Sequence, residues 1–308
     1  MNTTIIHLSD LHVGRWPEFP PNEAAQENLS YIVQSLVDQF DVAPRPVIIV
    51  TGDLVNDGTT RQFLEVRQIL KPLYRAGFIV LPVPGNHDYG VMGNHLWKKR
   101  FTRFKKVFFS MENPHFPLEH ITYPFTKKIN GHYFIGLNSM KVESPGSDRW
   151  LNDGELGQRQ LADLDGILNS LRYRSDDLIR KEKVVVYLHH HPFIFPYDHK
   201  RIAIKKHEQR ASYLKDGDEL MELLSGNVDI LLFGHGHEHV NLSTTFLAGE
   251  KEYNIPVILS CGQSTEFSNE TFVDYAGNII NRETDENLLG WRMDIDETGQ
   301  MIVESLSF

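Results

Sequence analysis

Asp10-Leu11-His12, Gly52-Asp53, Gly85-Asn86-His87-Asp88, His189-His190-His191 and Gly234-His235-Gly236-His237 are short blocks rich in side chains that bind metal ions. Carboxylate and amide oxygens mixed with imidazole nitrogens give more donors than one tetrahedral zinc ion takes. Such a set suits two ions of higher coordination number that share a carboxylate, for which Mn²⁺, Fe and Zn²⁺ are all suitable. The one cysteine, Cys261, rules out an intramolecular disulfide and a thiolate-rich site. A metal bound here is held by nitrogen and oxygen.

The elements that must bring these blocks together are legible as short apolar runs. Thr4 to Leu8, Pro46 to Val50, Phe78 to Val83, Tyr133 to Leu137, Lys183 to Leu188, Val228 to Phe233 and Pro256 to Leu259 each read as a strand covered on both faces. Between them Glu27 to Phe40, Arg61 to Tyr74, Leu156 to Leu171 and Asp218 to Leu224 repeat apolar residues at helical spacing. Alternating strand and helix predicts an α/β layered fold. Leu289 to Phe308 reads instead as an antiparallel hairpin turning at Asp296 to Gly299, at the edge of a mixed sheet. Each metal-binding block follows a strand, and groups at the carboxyl ends of strands in an open α/β sheet converge on one crevice. Within an extended segment, Asp10 and His12 are two apart and face the same way.

The chain has 308 residues, 41% hydrophobic and 23% charged, enough to bury a sizeable core without staples. A single domain over 1–308 is expected, its β-rich segment from about 256 to 308 completing the sheet. Thirty-one Lys and Arg against 41 Asp and Glu give a formal charge of −10. That balance argues against a long nucleic acid as partner, because such affinity comes from neutralising phosphates. MNTTIIHLSD lacks the basic and apolar regions of a signal peptide, and no apolar run approaches the ~18 residues of a membrane span. A cytoplasmic protein without a membrane partner is the expectation.

Several residues need sorting. Gly85-Asn86-His87 follows a strand and carries the site, whereas Gly93-Asn94-His95 precedes a helix that Asn94 can cap. In the histidine run ahead of Pro192, His190 is the expected ligand on the motif resemblance given below, with His189 next, and strand alternation turns the ligand's neighbours away. His7 reads as a core or supporting residue, and His239 as a supporting one. Trp97 to Phe109 places Trp97, Phe101, Phe104 and Phe108 on one stripe, an amphipathic helix rather than a nucleic-acid patch. Asn56 and Asp57 either orient ligands or shape a turn.

The five blocks, in this order, resemble the calcineurin-like metallophosphoesterases, whose pattern is D-x-H, G-D, G-N-H-[DE], H and G-H-x-H. HLSDLHVG, TGDLVNDG, VPGNHDYG, LHHHPF, GHGHEH and LNDGELGQRQLADL are most similar to the class III cyclic-nucleotide phosphodiesterase group. The resemblance implies a four-layer α/β/β/α sandwich with two divalent metal ions at one edge. It implies that Asp10, His12 and His237 hold one ion, that Asn86, His190 and His235 hold the other, and that Asp53 bridges them. Two cations about 3.5–4 Å apart let a shared hydroxide form near neutral pH and attack phosphorus in line. His87 is then the general acid or charge-stabilising donor, with Asp88 orienting it. The expected substrate is a small phosphodiester, cyclic nucleotides first. Phosphomonoesterase, DNA nuclease and non-catalytic metal- or nucleotide-binding regulator are the alternatives. Loops Lys141 to Asp153, Phe193 to Leu214 and Asn241 to Tyr253 are the expected source of selectivity.

Overall fold

The computed structural model describes residues 2–14, 23–90, 98–109, 122–140, 154–173, 182–193, 214–225, 230–235, 242–246, 255–261, 263–266, 271–273, 279–282 and 287–308. For 23, 98–100, 172–173, 230–235, 242–246, 256–258, 260, 271–273 and 279–282 only the backbone is described. The second Gly-Asn-His copy, Trp97, His237, His239 and the loop Lys141 to Asp153 lie outside these residues.

Strands β1 (Thr3–Leu8), β2 (Val47–Thr51) and β3 (Ile79–Val83) are parallel neighbours. The C-terminal hairpin of β12 (Leu289–Ile295) and β13 (Met301–Ser307) adds antiparallel to β1, giving the order β13-β12-β1-β2-β3. A second sheet has the order β11-β10-β8-β9-β7-β6-β5-β4. Its centre is parallel: β5 (His132–Gly136), β6 (Val184–Tyr187), β7 (Ile230–His235) and β9 (Ile255–Ser260). Around them lie β4 (Phe125–Ile129), β8 (Leu242–Phe246), β10 (Thr271–Val273) and β11 (Ile279–Arg282). β8 departs from the sequence expectation, occupying part of the segment read as the loop Asn241 to Tyr253.

Side-chain alternation shows how the layers stack. On β5 and β6, Phe134, Val185 and Tyr187 join the core that also holds the side chains of β1, β2 and β3. Their neighbours Ile135, Val184 and Val186 join a second core with Leu161, Leu164, Leu220 and Leu224. The latter four belong to α5 (Gln158–Tyr173) and α6 (Gly217–Leu224). Successive strand residues point to opposite faces, so the second sheet is covered on one face by helices and on the other by the first sheet. The first sheet's outer face is covered by α1 (Glu23–Gln39), α2 (Thr60–Ala76) and α4 (Lys98–Phe108), through residues such as Leu29, Ile32, Phe63, Val66 and Phe104. The expected α/β/β/α sandwich is the observed one. No helix among the described residues is long and apolar enough to cross a membrane.

Candidate metal centre

The segments leaving β1 and β2 stay paired beyond the strands. The amides of Asp10, His12 and Val13 donate to the carbonyls of Gly52, Asp53 and Leu54, at 3.1, 2.9 and 3.1 Å. Asp10, His12 and Asp53 have φ of 50°, 44° and 49°, the left-handed region that L-residues avoid. Each such residue costs about 1–3 kcal/mol and persists because its surroundings over-determine it. Asp10 and His12 therefore do not meet by strand alternation, as the sequence suggested. They lie past the end of β1, and the ladder to Gly52-Asp53-Leu54 sets their direction.

Two glycines let the blocks close on one another. A Cβ at Gly52 would stand 2.4 Å from His189 Nδ1, and one at Gly85 would stand 2.3 Å from Asp53 Oδ1. Past Gly85 comes the single turn α3 (Asn86–Tyr89), whose His87 amide donates to Asp53 Oδ1 at 2.8 Å. The Asp88 carboxylate accepts from the amides of Gly85, Leu54 and Val55, at 2.9, 3.3 and 3.2 Å. Asp88 thus ties the Gly-Asn-His turn to the Gly-Asp loop. The expectation that it orients the His87 ring is corrected: that ring donates from Nδ1 to the Asn56 carbonyl at 2.9 Å.

Asp53 sits at the middle. Its Oδ2 is 3.9 Å from His12 Nε2 and 3.4 Å from His189 Nε2. Ligand atoms of His12, Asp53 and His87 lie within 4.8 Å of one another, and so do those of Asp10, Asp53 and His189. Asn86 Oδ1 is 2.9 Å from His189 Nε2. Asp10, Asp53, Asn86 and His189 are almost fully buried, whereas His87 is half-buried.

His189 is the member of the histidine run that faces this cluster, and the expectation for His190 is corrected. His190 is buried with Nδ1 2.8 Å from Ser139 Oγ, its ring against Gly154, where a Cβ would be 2.5 Å away. The parity of β6 explains the reversal. Val185 and Tyr187 face the first sheet, and His189 continues that phase, while Val186 and Leu188 face α5 and α6. His235 ends β7, its side chain outside the described residues together with all of His237, so both stay expectations from the motif.

Asn56, which the sequence leaves open between orienting a ligand and shaping a turn, supports His12, and Thr51 and Asn138 have supporting parts that the motifs do not single out. Asn56 Oδ1 accepts from His12 Nδ1 at 3.0 Å, and the Thr51 carbonyl accepts from His189 Nδ1 at 2.7 Å. Asn138 donates from Nδ2 to the Tyr89 hydroxyl at 2.8 Å and shares two bonds with Gln160, joining β5, α3 and α5. Only Asn56 carried a signal, its place next to the Gly-Asp block. His7 is the buried residue expected, with Nε2 2.8 Å from Thr51 Oγ1.

The charges follow from this packing. Burial raises the Asp53 carboxyl, but His189, His87 and His12 outweigh it and hold it well below the ordinary value. Burial lowers His189, yet the charges of Asp53 and Asp10 and the bond to Thr51 push it up to about 9. The carboxylates thus favour positive charge at this spot, whether a proton on Nε2 or a cation. Burial and then the Asp53 charge raise Asp88, opposed by its backbone amides. Burial pulls His7 down to about 3, and it stays neutral.

The residues fit a metal pair. His12 and His189 each direct Nδ1–H at an oxygen acceptor, which leaves Nε2 as the coordinating nitrogen. A shared carboxylate lies between two groups of oxygen and nitrogen donors. A family model described as calcineurin-like phosphoesterase matches residues 3–239. The chain belongs to that family. Its members depend on two divalent metal ions.

No curated protein sequence matches the chain. Among solved structures it is similar to a purple acid phosphatase from yellow lupin, with a TM-score of 0.59 and 12% identity, over 100% of this chain and 52% of that one. The chain thus spans about half the length of the lupin protein. A Thermus thermophilus protein, TT1561, is similar over 99% of both chains, with a TM-score of 0.49 and 11% identity. The calcineurin-like phosphoesterase YfkN from Bacillus subtilis gives 0.46 and 11%, over 100% of this chain and 90% of that one. At 12% identity the likeness to the lupin protein concerns the fold.

Proposed function

We propose that this calcineurin-like phosphoesterase hydrolyses a small phosphodiester, cyclic nucleotides being the favoured substrates, with Mn, Fe or Zn at two positions. The observation that carries the reading is the Asp53 carboxylate shared by two groups of ligand atoms. Asp10, His12, Asp53, Asn86 and His189 would hold the ions, with His235 and His237 completing the set as the motif implies. Bound ions would supply an activated water and neutralise the phosphate oxygens that repel it.

The chain's own part is orientation and proton handling. The neutral Asn86 amide, in place of another carboxylate, limits negative charge where an anionic substrate must sit. His87 is the most exposed member of the cluster, with its ring fixed through Nδ1. Protonated on both nitrogens, it would give the Nε2 proton to the leaving oxygen. The diester preference is supported by the sequence blocks that resemble the class III group.

The test is hydrolysis by the Mn²⁺-reconstituted protein, with Asn86→Ala as control. Bis(p-nitrophenyl) phosphate is compared with p-nitrophenyl phosphate, then cyclic AMP with a linear DNA. Turnover of the diester and cyclic AMP, lost in Asn86→Ala, is expected. Faster monoester than diester cleavage would replace the reading by a phosphomonoesterase. Two bound ions with no turnover of any compound would favour the regulatory alternative.

A further inference from the structure

Behind the cluster runs a file of buried polar side chains that the mechanism does not use. His7 on β1 lies with Nε2 2.8 Å from Thr51 Oγ1 at the end of β2. The Thr51 hydroxyl donates to Ser9 Oγ at 2.8 Å, and the Ser9 hydroxyl donates to Asp10 Oδ2 at 2.5 Å. His7, Thr51, Ser9 and Asp10 are all fully buried. Because Thr51 spends its proton on Ser9, its oxygen accepts from His7, which fixes the proton on Nε2. The bonds then point one way, His7 to Thr51 to Ser9 to Asp10, and a chain of aligned donors strengthens each member.

The chain acts on one oxygen of the carboxylate. Oδ2 takes the Ser9 hydroxyl, while Oδ1 lies on the side of His12, 3.7 Å from its Nε2. The Ser9 backbone is itself clamped across the sheets: its amide donates to Ser264 Oγ at 3.1 Å, and its carbonyl accepts from the Ser264 amide at 3.0 Å. The Asp10 backbone sits in the left-handed region past the end of β1, where its amide is held by the Gly52 carbonyl and its side chain by the Ser9 hydroxyl.

We propose that His7, Thr51 and Ser9 are positioning residues that hold Asp10 with Oδ1 toward the metal pair, and so set the affinity of the ion Asp10 binds. The inference rests on the reading of Asp10 as a metal ligand. Groups that donate to a ligating carboxylate are worth roughly 10–100-fold in metal affinity. Ser9→Ala removes the direct donor and is expected to weaken one Mn²⁺ site by about that factor. Thr51→Val leaves the Ser9 donor but takes away the alignment behind it, and a smaller loss at the same site is expected. Thr51→Ser keeps the hydroxyl and should restore wild-type binding.

The experiment measures both Mn²⁺ dissociation constants by calorimetry, with the metal-free protein's thermal unfolding recorded for each variant. Selective weakening of one site in Ser9→Ala and Thr51→Val, with rescue by Thr51→Ser, supports the proposal. Equal weakening of both sites that tracks lowered thermal stability would overturn it in favour of a merely structural role. Unchanged constants in both variants would overturn it too. Asp10→Ala separates the two levels: loss of one ion there alongside unchanged Ser9→Ala binding leaves the metal reading intact and removes only the positioning chain. Full occupancy in Asp10→Ala removes the ligand reading and the inference together.

Discussion

The two sheets deliver their parts of the metal centre by different means. The first sheet ends in loops that remain hydrogen-bonded to each other past β1 and β2, with Asp10, His12 and Asp53 all left-handed. The second sheet delivers His189 just beyond β6, in the phase that Val185 and Tyr187 already have. One side is positioned by backbone ladders and by glycines without room for a methyl group; the other by which face of a strand is inside. The first arrangement is rigid against any change of backbone, and the second is sensitive to register.

The sharpest way to break the first side is Gly85→Ala. Its Cβ would fall 2.6 Å from the Asp53 amide nitrogen as well as on the carboxylate, so the loop carrying Asp53 must move. We expect activity to fall more than about 100-fold, since small misplacements of catalytic groups cost that much. Steady-state rates on bis(p-nitrophenyl) phosphate check it, and near-normal activity would show that the close approach is not needed.

The register of the second side is tested by a pair. His189→Ala is expected to lose metal and most turnover. His190→Ala is expected to keep two ions and lose about 1–3 kcal/mol of stability from the emptied, hydrogen-bonded site. Metal content by mass spectrometry with thermal unfolding distinguishes them. The opposite pattern would restore His190 as the ligand.

Removal of the tie between loops comes next. Asp88→Ala leaves the amides of Gly85, Leu54 and Val55 without their acceptor, and an expected loss of about 1–3 kcal/mol follows. Urea denaturation of the metal-free protein measures it. Stability equal to wild type would mean that the tie is dispensable.

The smallest effect belongs at the start of α2, where Thr59 caps the helix and Gln62 bonds back. Thr59→Ala should cost about 1 kcal/mol, with metal content unchanged. Lost metal in this variant would extend the first side's rigidity as far as the helix.

Legibility in the sequence divides along the same line. β2, β3 and β6 are apolar on both faces, and their composition alone reveals them. β4 has only Ile129 buried among Phe125, Thr126, Lys127 and Lys128, because it lies at the sheet's edge, and its pattern is correspondingly weak. The glycine and carboxylate blocks are readable as a motif, but the reason for each glycine is a contact between distant segments. Alignment on Pro192 points to the wrong histidine. The phase of Val185 and Tyr187 carries the answer, but only once it is known which face meets the other sheet. His235 and His237 remain readings of the motif.

The left-handed trio has a consequence for when the centre can exist. Asp and His tolerate the left-handed region better than most side chains, but for Asp10, His12 and Asp53 it is still the less favoured backbone state. The bend becomes worthwhile only when the carbonyls of Gly52, Asp53 and Leu54 are already in place to accept the amides of Asp10, His12 and Val13. A fragment of the chain ending before β2 would carry the letters Asp-Leu-His without the geometry they need. The centre thus has no local precursor: its geometry exists only where chain segments some forty residues apart have met.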